Sequence, residues 1–258
     1  MMDYLYQASD LKLFLILSSI VISFSIIVLF LLKAFWPIHL RYQDNEVIGC
    51  TSALIIVIYG VIAGFATLNL INNNIAASDA IQHESNAIAN MYRDSMFLQP
   101  PYNTQVQKVL KQYLIKVLDT EWPLMNQGKA IPNEGELIIQ QIIGCLTEHE
   151  TKNTLEPLIM ADMITLARNL YDSRHQRIQM SYASLSNEIW VVIVIGTLLS
   201  LFVSYLFGVN FYLHIFIVVA AGLMTVSIMF LLISLDKPFQ GEFVVGPDSL
   251  RTVLAYLS

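Results

Sequence analysis

Charge is scarce in this sequence: Lys, Arg, Asp and Glu make up 13% of its 258 residues. Across four long apolar stretches, residues 11–32, 48–71, 189–207 and 211–235, the only Lys, Arg, His, Asp or Glu side chains are Lys12 and His214. Both sit close to an end, where a long or aromatic side chain reaches the headgroups of a bilayer. No interior charge therefore marks a proton relay, a transport site or an intramembrane catalytic group. Cysteine is nearly absent as well. Cys50 lies in an apolar stretch and Cys145 in a polar one, so no disulfide framework is implied, and neither has a second cysteine nearby to hold a metal. Glycine and proline are missing from residues 65–99 and 158–195. Helices can run unbroken through such segments, which predicts a single rod over residues 158–207, about 75 Å long at 1.5 Å per residue.

What the chain has in abundance is apolar length. It is 55% hydrophobic with a mean hydropathy of +0.58, and a hydrocarbon core about 30 Å thick needs roughly 20 apolar helical residues. Each of the four stretches qualifies. The first is too long for a signal-peptide core and ends in Lys33-Ala34-Phe35-Trp36-Pro37 without small residues at cleavage spacing, so it reads as a retained helix. The expected fold is an all-α membrane protein of four transmembrane helices, with a helical cytoplasmic domain inserted between the second and third. Its parts are a first helix pair (1–71), the insert (72–188), a second helix pair (189–235) and a tail (236–258).

Four crossings put the N-terminus, the insert and the tail on one side of the membrane. That side carries Lys12, Arg174, Arg177, Lys237 and Arg251 near the bilayer, against Lys33 and Arg41 opposite, and the bias favours a cytoplasmic insert. Within the insert, Val106, Val109, Leu110, Tyr113, Leu114, Val117 and Leu118 recur at three and four, so they share one face of a helix that Trp122-Pro123 is expected to end. Ile139, Ile142, Ile143 and Leu146 form a second stripe; Leu155, Ile159, Leu166, Leu170, Ile178 and Leu185 form a third.

The second apolar stretch says most about function. Thr51, Ile55, Ile58, Ile62, Phe65, Asn69 and Asn72 fall on one helical face, with Asn73 following. That face is apolar in its middle and polar at one end. In a ring of such helices it forms a hydrophobic constriction leading to a belt of carboxamides, a layout suited to an ion pore gated by dewetting. The plainer alternative is a packed helix with its asparagines in an interface. Gly60 and Gly64 lie on the other side and form a small-xxx-small pair that lets a neighbouring backbone approach closely.

Catalytic and metal-binding patterns are absent. Glu148-His149-Glu150 and His83-Glu84 lack the spacing that fixes a metal on one helical face and read as solvated charged faces. Asp172 beside Arg174 reads as a surface pair. Gly-rich phosphate loops, a Gly-x-Ser-x-Gly elbow and kinase signatures are all missing. No enzyme, cofactor or metal is expected. The insert holds nine Lys and Arg against thirteen Asp and Glu, a net of minus four, which argues against nucleic acid as a partner and favours cations over anions near its surface.

Three motifs carry a resemblance. Glu121-Trp122-Pro123, Ala89-Asn90-Met91-Tyr92-Arg93 and the tail Leu235-Asp236-Lys237-Pro238-Phe239-Gln240-Gly241-Glu242-Phe243 are similar to those of the bacterial DUF4239 family, also called bestrophin-like. The resemblance spans residues 48–254. It implies a four-helix subunit assembled around a central pore, usually as a pentamer, in a bacterial inner membrane. It does not carry calcium gating, because Asp236 followed by Lys237 cannot supply the several oxygens calcium needs. The expected function is passive conduction of small ions through a homo-oligomer, with monovalent cations such as potassium ahead of chloride. A membrane-anchored signalling or scaffold protein is the alternative from another class.

Overall fold

In an apolar surround a chain satisfies its backbone N–H and C=O groups by forming helices, and the leucine-, isoleucine- and valine-rich stretches do so here. The computed structural model describes residues 10–35, 44–147, 156–241 and 244–257. In chain order the helices are α1 (Asp10–Phe35), α2 (Asn45–Ser95), α3 (Tyr102–Lys116), α4 (Trp122–Asn126), α5 (Glu134–Thr147), α6 (Glu156–Ser181), α7 (Asn187–Leu206), α8 (Phe211–Leu235) and α9 (Asp248–Tyr256). Among the described residues there is no strand. Four helices, α1, α2, α7 and α8, are long and apolar enough to cross a membrane. The chain is an all-α membrane protein, and its helices divide between two units, residues 1–72 with 184–236 and residues 73–183 with 237–258.

In the first unit α1 lies along α8, with Phe14 edge-on to Phe230 at 5.4 Å and Phe30 edge-on to Phe211 at 5.6 Å. Polar groups on these helices pair with one another, as they must away from water. Tyr205 donates to the Ser25 hydroxyl at 3.0 Å, and the Tyr59 and Thr197 hydroxyls lie 3.1 Å apart. His214 does not reach outwards. It is buried with Nε2 3.1 Å from the Ser204 carbonyl, one of the last-turn carbonyls of α7 that no helical N–H can satisfy. The tight connection at Gly208 is held by Asn45, which accepts from the Gly208 N–H at 2.8 Å and donates to its carbonyl at 3.0 Å.

The second unit packs the far half of α2 with α3, α5, α6 and α9. Its core holds Ile88 and Met91 from α2, Leu110 and Leu114 from α3, Ile139 and Ile142 from α5, Met163 and Leu170 from α6, and Phe239 and Leu250 from the tail. Phe239 stands edge-on to Trp122 with ring centroids 5.6 Å apart, so two of the motif aromatics meet in this core. The stripes expected on α3 and α5 face inwards: Val106, Leu110, Tyr113, Leu114, Val117, Ile139, Ile142 and Leu146 are all buried.

Three further expectations are corrected. Residues 158–207 form two helices rather than one rod. After Ser181 the Tyr182 and Ala183 N–H groups turn back to the Gln179 and Met180 carbonyls, and Ser186 takes an extended conformation before α7. No glycine or proline is needed for this break, because Asp236 Oδ1 accepts the buried Leu185 N–H at 2.8 Å. By contrast α2 is one helix of 51 residues, about 75 Å long.

Trp122-Pro123 does not end its helix. A π turn over Val117–Glu121 widens the path, the Trp122 N–H bonds to the Val117 carbonyl, and Pro123 enters α4 at its start, where its missing N–H costs nothing. The helical run stops at Gly128, whose φ of 64° suits a residue without Cβ. On α6 the buried face is Met160, Met163, Ala167, Leu170, Arg174 and Arg177, one step round from the expected stripe. Leu155, Glu148-His149-Glu150, Arg41, Glu242 and Phe243 lie outside the described residues.

Candidate functional site

Two sets of residues stand out, a face of α2 and a buried charged cluster. On α2 the side that packs within the first unit is Tyr59, Ala63, Ala66 and Leu70, recurring at four, three and four. Small residues at 63 and 66 let that side close against its neighbours. The stripe singled out from the sequence lies to one side of it. Thr51, Ile58, Phe65, Asn69 and Asn72 are exposed in the single chain, Phe65 by 70% and Ile58 by 52%, while Ile55, Ile62 and Asn73 are half-buried. The chain brings these residues into one line along α2 and leaves most of their surface without a partner inside the subunit.

Gly60 and Gly64 were expected to receive a neighbouring helix. Within the chain they do not: a Cβ built at either meets no atom within 4 Å. Intrachain packing falls on the Tyr59, Ala63, Ala66 side because the tyrosine ring fills the space there and its hydroxyl reaches Thr197.

The charged cluster lies in the core of the second unit. Arg177 Nε donates to Glu84 Oε2 at 2.6 Å, and its Nη2 donates to Glu84 Oε1 at 3.1 Å and to Glu121 Oε2 at 2.7 Å. Arg174 donates to Glu121 Oε1 from Nη2 at 2.8 Å and from Nε at 3.2 Å, and also to the Pro132 carbonyl at 3.3 Å. Tyr113 completes the set by donating to Glu84 Oε1 at 2.6 Å. Gly135 sits where a Cβ would collide with the Glu121 carboxylate and the Arg174 guanidinium.

Two arginines face two glutamates, and all four carboxylate oxygens accept at least one hydrogen bond, which is what a buried ionic group requires. Burial acts against the Arg177 charge, but Glu84 outweighs it, and Tyr113 and Glu121 add to the effect, so the guanidinium is held charged above its already high range. Burial first, and then the Glu84 charge, push the Tyr113 phenol well above its ordinary value. Such a cluster fixes how α2, α3, α5 and α6 meet.

Arg174 and Arg177 are therefore not free juxtamembrane charges, and Glu84 is not on a solvated face. The orientation count loses two of its five charges on the insert side, leaving Lys12, Lys237 and Arg251 against Lys33 and Arg41. The net charge of the insert is unchanged, because two acids are internal with the two arginines. A sequence signal for the cluster did exist. Arg174 and Arg177 continue the Met163, Ala167, Leu170 register, and Glu84 falls between Ile81 and Ile88, so charged residues occupied positions where periodicity demands core. Among the described residues no group of three or more His, Cys, Asp or Glu gathers as metal ligands.

Four apolar helices, a helical polar unit and a half-exposed stripe on one long helix define a class, that of helical membrane proteins whose second span is only partly used for packing within the subunit. The chain belongs to the bestrophin-like family, whose domain model matches residues 19–250; as a class, bestrophins are ion channels. No curated protein sequence matches the chain. Solved structures share its fold. An isoleucine-to-threonine variant of a bacterial bestrophin homologue from Klebsiella pneumoniae superposes with a TM-score of 0.71 at 14% identity, covering 95% of this chain and 98% of that one. A tryptophan-to-alanine variant from the same organism also gives 0.71, at 13% identity and 97% coverage of each chain. A third structure of the Klebsiella pneumoniae homologue gives 0.69 at 13% identity, covering 94% and 96%.

Proposed function

We propose that the protein is an oligomeric ion channel that conducts passively through a central pore lined by α2, with monovalent cations such as potassium as its permeating ions. The observation that carries this is the stripe Thr51, Ile55, Ile58, Ile62, Phe65, Asn69, Asn72 and Asn73, which intrachain packing leaves largely uncovered. A ring of α2 helices sets isoleucine and phenylalanine at the constriction and carboxamides beyond it. The open side at Gly60 and Gly64 then takes a neighbouring subunit, and a closed ring of five follows the bestrophin pattern. The net negative charge of the polar unit draws cations to the mouth. The polar unit and both termini lie on the cytoplasmic side of a bacterial inner membrane.

A scaffold or signalling protein needs no aqueous path on its symmetry axis. A structure of the assembled protein in lipid nanodiscs separates the two. A continuous axial path beside Ile62 and Phe65, in a ring of subunits, is the expected result. An axis filled by side chains or lipid with α2 facing outwards overturns the proposal, as does a monodisperse monomer by light scattering.

A further inference from the structure

The second unit contains a cavity of about 340 Å³, apolar at Ala87 and Leu166, whose polar lining is His83, Asn86 and Asn90 of α2 and Asn169, Asp172, Ser173 and Gln176 of α6. At about 30 Å³ per water this volume takes on the order of ten molecules, room for an ion with much of its hydration shell. We propose that the cavity is a cation site, in which Asp172 supplies the charge and carboxamide oxygens supply further ligands to a monovalent ion. The assignment to the conduction path rests on the pore reading above; the site itself does not.

The lining decides the sign of the ion. Asp172 is its only acid, is exposed to the cavity side of α6, and among the described residues has no hydrogen-bond or ion-pair partner. His83 is the only lining group that can carry positive charge. Asn86 accepts from the Gln82 amide at 3.2 Å and keeps a second lone pair on that oxygen. Asn90, Asn169 and Gln176 can also turn their oxygens towards a cation, each amide being able to present either end.

One carboxylate and neutral oxygens are too few for calcium, which takes six to eight oxygens with several carboxylates among them. His83 is the one nitrogen ligand in the lining, and among the described residues no group of three or more His, Cys, Asp or Glu gathers with it to hold a transition metal. A monovalent cation that keeps part of its water is the ligand that matches.

The test uses thallium(I) as the probe. The assembled wild-type protein in thallium acetate should give anomalous density in the cavity, absent in Asp172→Asn and retained in Asp172→Glu. In bilayers under a potassium chloride gradient, Asp172→Asn should lower the cation-to-anion permeability ratio by roughly threefold or more. No thallium in the wild-type cavity overturns the proposal, and so does thallium that persists in Asp172→Asn. An unchanged permeability ratio removes the site from selectivity. Bound thallium in a protein that carries no current overturns the pore reading and leaves the cation site standing.

Discussion

Arg177 Nε lies 2.6 Å from Glu84 Oε2, with both side chains wholly buried and the two residues 93 positions apart in the chain. This contact ties α6 to the far half of α2, and Glu121 extends it to the π turn. Removing one member of such a pair leaves a buried charge without its counterpart, at a cost of about 3–5 kcal/mol. Arg177→Met should therefore lower the melting temperature of the detergent-solubilised protein sharply. Pairing it with Glu84→Gln should restore part of the loss, since the uncompensated charge is then reduced. An unchanged melting temperature in Arg177→Met would show that the cluster does not hold the unit together.

Tyr113 adds a dependence on alkaline pH. Burial and the Glu84 charge hold its phenol well above the ordinary 10.0 in the folded protein, whereas an unfolded chain ionises tyrosine at about pH 10. Above that pH the unfolded state has released a proton that the folded state keeps. Stability from this group is thus complete below about pH 10 and declines as pH rises further. Melting temperatures measured from pH 8 to pH 11 should fall more steeply in wild type than in Tyr113→Phe. Parallel curves would contradict the assignment.

The bond from the Leu185 N–H to Asp236 Oδ1, at 2.8 Å, gives the tail motif a structural task. Asp236→Ala leaves that buried N–H without this acceptor, at a cost of about 1–3 kcal/mol. Asp236→Asn keeps an oxygen in place and should recover most of the stability. A ligand-dependent loss of current in Asp236→Ala, with melting temperature unchanged, would assign the residue to ligand binding instead.

At the constriction, truncation should ease conduction. A ring of isoleucine and phenylalanine resists wetting, and carboxamides partly replace the hydration an ion sheds on passing it. Phe65→Ala or Ile62→Ala should raise conductance or open probability, and Asn69→Ala should alter ion preference more than assembly. Single-channel records with normal currents in the first two and unaltered selectivity in the third would move the pore away from this face.

Much of the fold was legible because length and apolar content alone decide what can span a bilayer, and because the stripes on α3 and α5 carry no charged residue. The α6 face was harder to read. Its register includes Arg174 and Arg177, and charge normally marks solvent, so apolar periodicity alone points one step round from the core side. The break before α7 was invisible for a different reason. It is fixed by Asp236, a residue 51 positions away from Leu185, and no local residue signals it. Periodicity located the Ile58, Ile62, Phe65 stripe, but it could not tell that the subunit packs on the Tyr59, Ala63, Ala66 side of α2 rather than at Gly60 and Gly64. Tyr59 decided that, through a hydroxyl contact with Thr197 on another helix.

The most direct measurement is the reversal potential of purified protein reconstituted in planar bilayers under a potassium chloride gradient. The expected result is a protein-dependent current that reverses on the potassium side of zero and grows in Phe65→Ala. Assembled, correctly folded protein that passes no current in wild type or Phe65→Ala would contradict an ion channel built on α2.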